Sequence, residues 1–174
     1  LYTLLMRPTT LLVIKKGYNV KNFLRTIEKQ RGINVEKMDI VRMYLCKPSA
    51  IAIIGASLKE NRIVYKVMKY LQAAGHRLYP VNPAYKGQMI LDCPCAGSVS
   101  DLSEPIDIVV FFLSPSLQQP IAEELEGKKE HPVVWFQPGT ENAALELWLK
   151  DKGFSVVNHD CIMAAHIKHC KFTL

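Results

Sequence analysis

One stretch of the chain has the residue types and spacing for anion chemistry: Gly55-Ala56-Ser57-Leu58-Lys59-Glu60-Asn61-Arg62. It follows the apolar run Ala50–Gly55 (AIAIIG) and precedes a segment with helical periodicity. A phosphate at such a strand-to-helix turn meets backbone N–H groups and the positive end of a helix. Gly55 and Ala56 are small enough for close approach, the Ser57 hydroxyl can donate, and Arg62 and Lys66 add positive charge. The full G-x-G-x-x-G spacing is absent, so a plain turn with solvated basic residues reads equally well from this stretch alone.

The end of the next strand narrows the class of nucleotide. An NAD site places Asp or Glu there to hold the ribose hydroxyls. Here the residues are Tyr79-Pro80-Val81-Asn82-Pro83, with no acid. That suits a ribose that carries a phosphate, as in coenzyme A or NADP. Other reactive residues form no pattern. His159, Cys161, His166, His169 and Cys170 lie within twelve residues but lack the paired spacing of structural zinc. Cys93-Pro94-Cys95 lacks the two-residue separation of redox motifs. No Ser–His–acid or Cys–His set is placed by a motif, so no catalytic residue and no metal ligand is assigned.

These residues need a scaffold to position them. The chain has 174 residues, 49% of them hydrophobic, which is enough for one sizeable core. No apolar run reaches the roughly 18–20 residues that span a bilayer, so a soluble protein with no membrane partner is expected. Strands are predicted at Ala50–Gly55, Arg77–Val81, Ile106–Leu113, Pro132–Phe136 and Phe154–Val157. Helices are predicted at Arg62–Ala74, Pro115–Glu126, Glu141–Lys152 and Ile162–His169, with Gly75 and Gly153 as stops. Such alternation implies an α/β fold: a Rossmann-like, doubly wound, parallel five-stranded sheet with helices on both faces. The strand order expected is 3-2-1-4-5, with the site at the carboxyl ends.

Six segments in register resemble a known family. They are Ile51–Ser57 (IAIIGAS), Arg62 with Tyr65–Leu71 (YKVMKYL), Tyr79–Pro83 (YPVNP), Asp107–Phe112 (DIVVFF), Trp135–Gly139 (WFQPG) and Val156–Met163 (VVNHDCIM). Together they resemble the small stand-alone CoA-binding domain proteins, related to the nucleotide-binding domain of the succinyl-CoA synthetase alpha subunit, over roughly Pro48 to Lys168. The resemblance implies that Gly55, Ala56 and Ser57 cradle a pyrophosphate and that Arg62, Tyr65 and Lys66 sit beside the phosphates. It implies that Asn82 and Pro83 border the adenosine and that Phe112, Ser114 and Pro115 line the slot after the third strand. Gln137 and Gly139 would lie along the pantetheine arm, with Cys161 near its thiol end. Many relatives carry Arg where this chain has Leu113, and often Arg where it has Asp160. Plainer roles compete: Tyr65 as core, Gln137 as a strand-end hydrogen-bonding group, Pro80 and Pro83 as strand punctuation, and one of Phe111 and Phe112 as core.

Two domains are expected: 1–47, a basic extension with a leading helix, and 48–174, the CoA-binding domain. Residues 1–47 hold ten Lys/Arg against three Asp/Glu, and 48–174 hold twelve against thirteen. The domain thus lacks the basic face of a nucleic-acid binder. The first segment holds a β-like run, Thr10–Ile14, a helix over Val20–Arg31 and another over Asn34–Cys46. It reads as an organellar presequence, an ordered extension, or sequence upstream of a start at Met38, the last being favoured. Five cysteines, an odd count, suggest reduced thiols and a cytoplasmic setting. The leading function is a small CoA-binding module, monomer or homodimer, whose partner is coenzyme A or acyl-CoA. The alternative is an enzyme: an NADP-linked oxidoreductase, or a CoA-dependent one acting with a partner chain. A redox-sensing repressor is a third reading, without an evident DNA-reading helix pair.

Overall fold

The computed structural model describes the backbone of residues 2–7, 10–15 and 35–36 and, with their side chains, residues 37–128 and 131–170. The chain falls into two compact units, Leu1–Asp39 and Ile40–Leu174. In the first, β1 (Tyr2–Arg7) pairs antiparallel with β2 (Thr10–Lys15), from Tyr2 opposite Lys15 to Arg7 opposite Thr10. β2 contains the β-like run expected from its branched residues; its partner β1 was not foreseen. The helix expected over Val20–Arg31 lies outside the described residues. Helix α1 (Val35–Ile40) continues into a π turn, Val41–Leu45, that buries Val41 and Leu45.

The second unit is the α/β sheet. In chain order it contains β3 (Ala50–Ile54), α2 (Ile63–Ala73), β4 (Arg77–Val81), β5 (Met89–Ile90), β6 (Cys93–Pro94) and β7 (Ile108–Phe111). Then come α3 (Gln119–Glu126), β8 (Val133–Phe136), α4 (Ala143–Asp151), β9 (Val156–Val157) and α5 (Ile162–Cys170). β3, β7 and β8 are buried along their whole length, as continuous apolar runs covered on both faces must be. Ile51, Ile53, Val110 and Trp135 pack with α2 and α5 residues such as Val67, Leu71 and Ile162, and Ile54, Phe111 and Phe136 pack with Ala122, Leu125 and Leu149.

The five parallel strands run in the order β4-β3-β7-β8-β9, that is 2-1-3-4-5. The doubly wound fold holds, but the expected order 3-2-1-4-5 does not. After β4 the chain makes no crossover helix. It forms a 3₁₀ turn, Pro83–Tyr85, and the small β5–β6 ribbon. Ala96 then bridges Val81 on the free side of β4, with Ala96 N donating to Pro80 O and Asn82 N to Ala96 O. That place is filled, so the third strand pairs with β3 instead, Ile51 opposite Ile108.

The expectation of reduced thiols throughout is corrected as well. Cys46 and Cys170 form a disulfide, with Cα atoms 4.8 Å apart, while Cys93, Cys95 and Cys161 are free. The sequence separation of 124 residues hid the pair. Among the described residues no helix is long and apolar enough to cross a membrane.

Candidate functional site

The carboxyl ends of β3, β4 and β7 meet at Gly55. Its φ of +86° is a left-handed conformation open to glycine, and a Cβ there would stand 2.8 Å from Leu113 Cδ2 and 3.2 Å from Phe112 O. Gly55 N and Ala56 N both donate to Val81 O, at 2.9 and 3.3 Å. These two amides are therefore engaged by the sheet, in the turn that the resemblance implies cradles a pyrophosphate. The donors that face no such claim begin further on. Helix α2 starts at Ile63 after Arg62, has no side-chain cap and carries no acid in its first turn. The opening N–H groups of a helix have no partner within it, and they attract anions together with the helix dipole. Sequence reasoning named this turn but could not show Val81 O reaching across to its first two amides.

Two cavities flank Gly55. The first is a polar basin of about 290 Å³ lined by Gly55, Ala56, Ser57, Arg62, Ile63, Val64, Asn82, Tyr85, Phe112 and Leu113. The second is an apolar slot of about 240 Å³ lined by Ile54, Gly55, Val81, Asn82, Pro83, Gly97, Ser98, Val99, Leu113, Pro120, Ile121 and Glu124. Gly55, Asn82 and Leu113 form their common wall. Asn82 braces that wall: its Nδ2 donates to Ala56 O at 2.7 Å and its Oδ1 accepts from Ala84 N at 3.0 Å. Both ends of its amide are thus occupied by the protein, a latch between the ends of β3 and β4.

Of the residues expected at the site, Gly55, Ala56, Ser57, Arg62, Asn82 and Phe112 line the basin, and Pro83 lines the slot. The others lie outside both linings. Tyr65 is half-buried against the core, its hydroxyl 3.5 Å from Glu60 Oε1, and Lys66 is exposed one turn along α2. Ser114 and Pro115 are exposed, with Ser114 Oγ 3.3 Å from Ser116 Oγ. Gln137 is buried, its carbonyl accepts from the Thr140 hydroxyl at 2.8 Å, and its Nε2 has no partner. Gly139 is exposed with φ +86°, and its N–H donates to Glu141 Oε2 at 2.8 Å. Cys161 is half-buried at the start of α5, beside Asp160, whose carbonyl accepts from Trp135 Nε1 at 2.8 Å.

Several residues escaped the sequence reading. Tyr85 sits three residues beyond Asn82 in the same Asn-Pro segment, and Ile63 and Val64 open α2, so helix spacing could have found them. The slot residues 97–99 and 120–124 had no such signal, since a loop and a helix meet there. Buried Gln118 donates to Leu113 O at 3.0 Å and Thr140 O at 2.7 Å, tying the loops after β7 and β8 together. Near the slot, Asp101 Oδ2 accepts from Gly97 N and Ser98 N and pairs with Lys86 Nζ at 3.1 Å. The bond from Lys86 holds the Asp101 carboxyl below its ordinary pKa, helped by the Gly97 amide.

The remaining reactive groups do not converge. His159 Nδ1 lies 3.6 Å from Glu141 Oε1, His166 Nδ1 lies 2.8 Å from the Tyr70 hydroxyl, and Cys170 is in the disulfide. Burial pushes the Cys93 and Cys95 thiols up, away from the thiolate that redox or metal chemistry uses.

Comparison with known proteins places this geometry. Residues 49–167 match the family model described as CoA binding domain. The uncharacterised protein YneT of Bacillus subtilis strain 168 is 32% identical over 126 residues, which cover 72% of this chain and 91% of that protein. The solved structure of cell-free ID.343 from Thermus thermophilus is 32% identical with a TM-score of 0.71, over 75% of this chain and 97% of that one. The ADP-forming acetate–CoA ligase of Methanocaldococcus jannaschii is 37% identical over 86 residues, 49% of this chain but 12% of the ligase. That match agrees broadly with kinship to acyl-CoA synthetases. The NADP alternative gains no support from these matches. With its sheet, its turn at Gly55 and a match across residues 49–167, the chain belongs to the CoA-binding domain family.

Proposed function

We propose that residues 48–174 act as a module that binds coenzyme A or an acyl-CoA at the carboxyl edge of the sheet. The observation that carries this reading is the uncapped start of α2 opening on a basin with Arg62, directly beside an apolar slot. A pyrophosphate in the basin meets the first-turn amides and the guanidinium, and an adenine enters the slot. At about 240 Å³ the slot is smaller than a drug-sized pocket and suits one ring system. The pantetheine arm then runs past Phe112 toward Gln137, Gly139 and Cys161. Lys66 and Tyr65, set back along α2, contribute through the field and through packing.

Titration calorimetry with coenzyme A, acetyl-CoA, NADH and NADPH tests the proposal. Micromolar binding of the CoA forms alone is expected; binding of NADPH in their place rejects it. A second reading, a CoA-dependent enzyme acting with a partner chain, is favoured by the ligase likeness. Release of free thiol from acetyl-CoA in the presence of ADP and phosphate, measured on the chain isolated with its native partners, separates the two: the module gives none, the enzyme a steady rate. The setting proposed is the cytoplasm; subcellular fractionation of the source cells tests that placement.

A further inference from the structure

Among the described residues that line the apolar slot, Glu124 alone carries a charge. It stands on α3 near the end of a helix whose inner side buries Ala122 and Leu125. Its Oε2 accepts two hydrogen bonds at 3.0 Å, one from Ser100 N and one from Ser100 Oγ. Those bonds fix the orientation of the carboxylate from outside the helix. No described residue donates to its other oxygen, Oε1. The rest of the slot is mostly apolar, including Val81, Val99, Leu113 and Ile121; of its polar residues, Asn82 already bonds Ala56 O and Ala84 N through its amide, and Ser98 is the other.

A carboxylate accepts and does not donate. In an apolar slot it rewards a ligand that presents an N–H and does nothing for one that presents a bare lone pair. We infer that Glu124 Oε1 reads the exocyclic amino group of the purine, and so selects an adenine ring. The inference rests on the coenzyme A reading of the site and adds the residue that sets base specificity. Ser100 acts as a positioning residue, holding the carboxylate by its far oxygen.

The test compares coenzyme A with its 6-deamino form, in which the adenine is replaced by unsubstituted purine. The ring keeps its faces and loses only the amino donor. Calorimetry on the wild-type chain is expected to give an affinity ratio of about ten- to a hundredfold in favour of adenine, the range for a hydrogen bond to a charged group. In Glu124→Gln the side-chain oxygen can keep the Ser100 bonds while the amide N–H₂ replaces the acceptor. The ratio is then expected to fall toward one, chiefly through weaker binding of the adenine form. A wild-type ratio near one, with both forms bound, overturns the role of Glu124 and leaves the coenzyme reading standing. A ratio unchanged in Glu124→Gln does the same. Failure of both forms to bind the wild-type chain overturns the coenzyme reading and this inference together. If Glu124→Gln does not fold, Glu124→Ala takes its place: the ratio is expected to fall toward one, and an unchanged ratio overturns the role of Glu124.

Discussion

The two ends of the parallel sheet use polar groups in opposite ways. At the carboxyl end α2 begins without a cap, Arg62 lines an open basin and the slot keeps a carboxylate at an apolar wall. At the amino end most polar groups bind one another, although the buried His76 Nε2 has no partner. Asp107 Oδ2 accepts from Ala50 N at 2.8 Å, Ser49 N donates to His76 Nδ1 at 3.3 Å, and the Ser49 hydroxyl donates to Tyr44 O. The Tyr70–His166 contact and the Cys46–Cys170 disulfide join α5 to α2 and to the π turn there. The difference teaches where the fold holds its stability and where it leaves donors for a ligand. Substitutions at the amino end should cost stability and spare affinity, and those at the carboxyl end the reverse.

Gly55 is the residue where that division should break. Gly55→Val puts a branched side chain at φ +86°, against Leu113 and Phe112 O, in the wall common to both cavities. Coenzyme A affinity is expected to fall about a hundredfold, roughly 2.7 kcal/mol. Stability should fall by about 1–2 kcal/mol for the left-handed backbone. Calorimetry and denaturant unfolding read the two losses separately.

Cys170→Ser sharpens the comparison from the other end. It removes a cross-link across 124 residues and should lower unfolding stability by about 2–4 kcal/mol. Coenzyme A affinity at a temperature where the variant is folded should not change. A matching loss of affinity would show that the two ends are coupled.

Arg62→Ala tests the carboxyl end alone. Loss of a charge-assisted hydrogen bond to phosphate should cost about 1.5–3 kcal/mol of binding and little stability. Lys66→Ala, outside the basin lining, should cost less than Arg62→Ala; the reverse ranking would move the phosphates further along α2.

A pH dependence at the amino end tests the same comparison without a ligand. His76 is 5% exposed, and burial, with His166 beside it, lowers its pKa to about 4. The unfolded chain takes up that proton near pH 6.5, the folded one only near 4. Stability is therefore complete above about pH 6.5 and declines as pH falls from there to about 4. The slope should approach 1.4 kcal/mol per unit for this residue. His76→Gln should flatten that part of the profile of unfolding free energy against pH.

How legible these ends were follows from the range of the interactions. The strand at Ala50, the turn at Gly55 and the helix after Arg62 are local, and the run AIAIIG with its following periodicity announces them. The closing glycines were legible too: Gly75 and Gly153 take φ of +92° and +85° just past α2 and α4. The strand order was not, because it depends on Ala96 filling the free side of β4 from a segment with no periodic pattern. Nor was the slot, which gathers residues from four separate elements. The turn after β3 was legible as a turn, but not that its first two amides meet Val81 O. The bracing role of Asn82 was not legible, since one asparagine in sequence does not show which groups its amide meets.

The most direct measurement is an amide-resolved NMR titration of the chain with coenzyme A. The account predicts the largest shifts at Ser57 and at Ile63 to Tyr65, with a second set at Val99 and Ile121 around the slot, and little change at Ser49, His76 or His166. Shifts concentrated at the amino end of the sheet, or none at the start of α2 with coenzyme A bound, would contradict it.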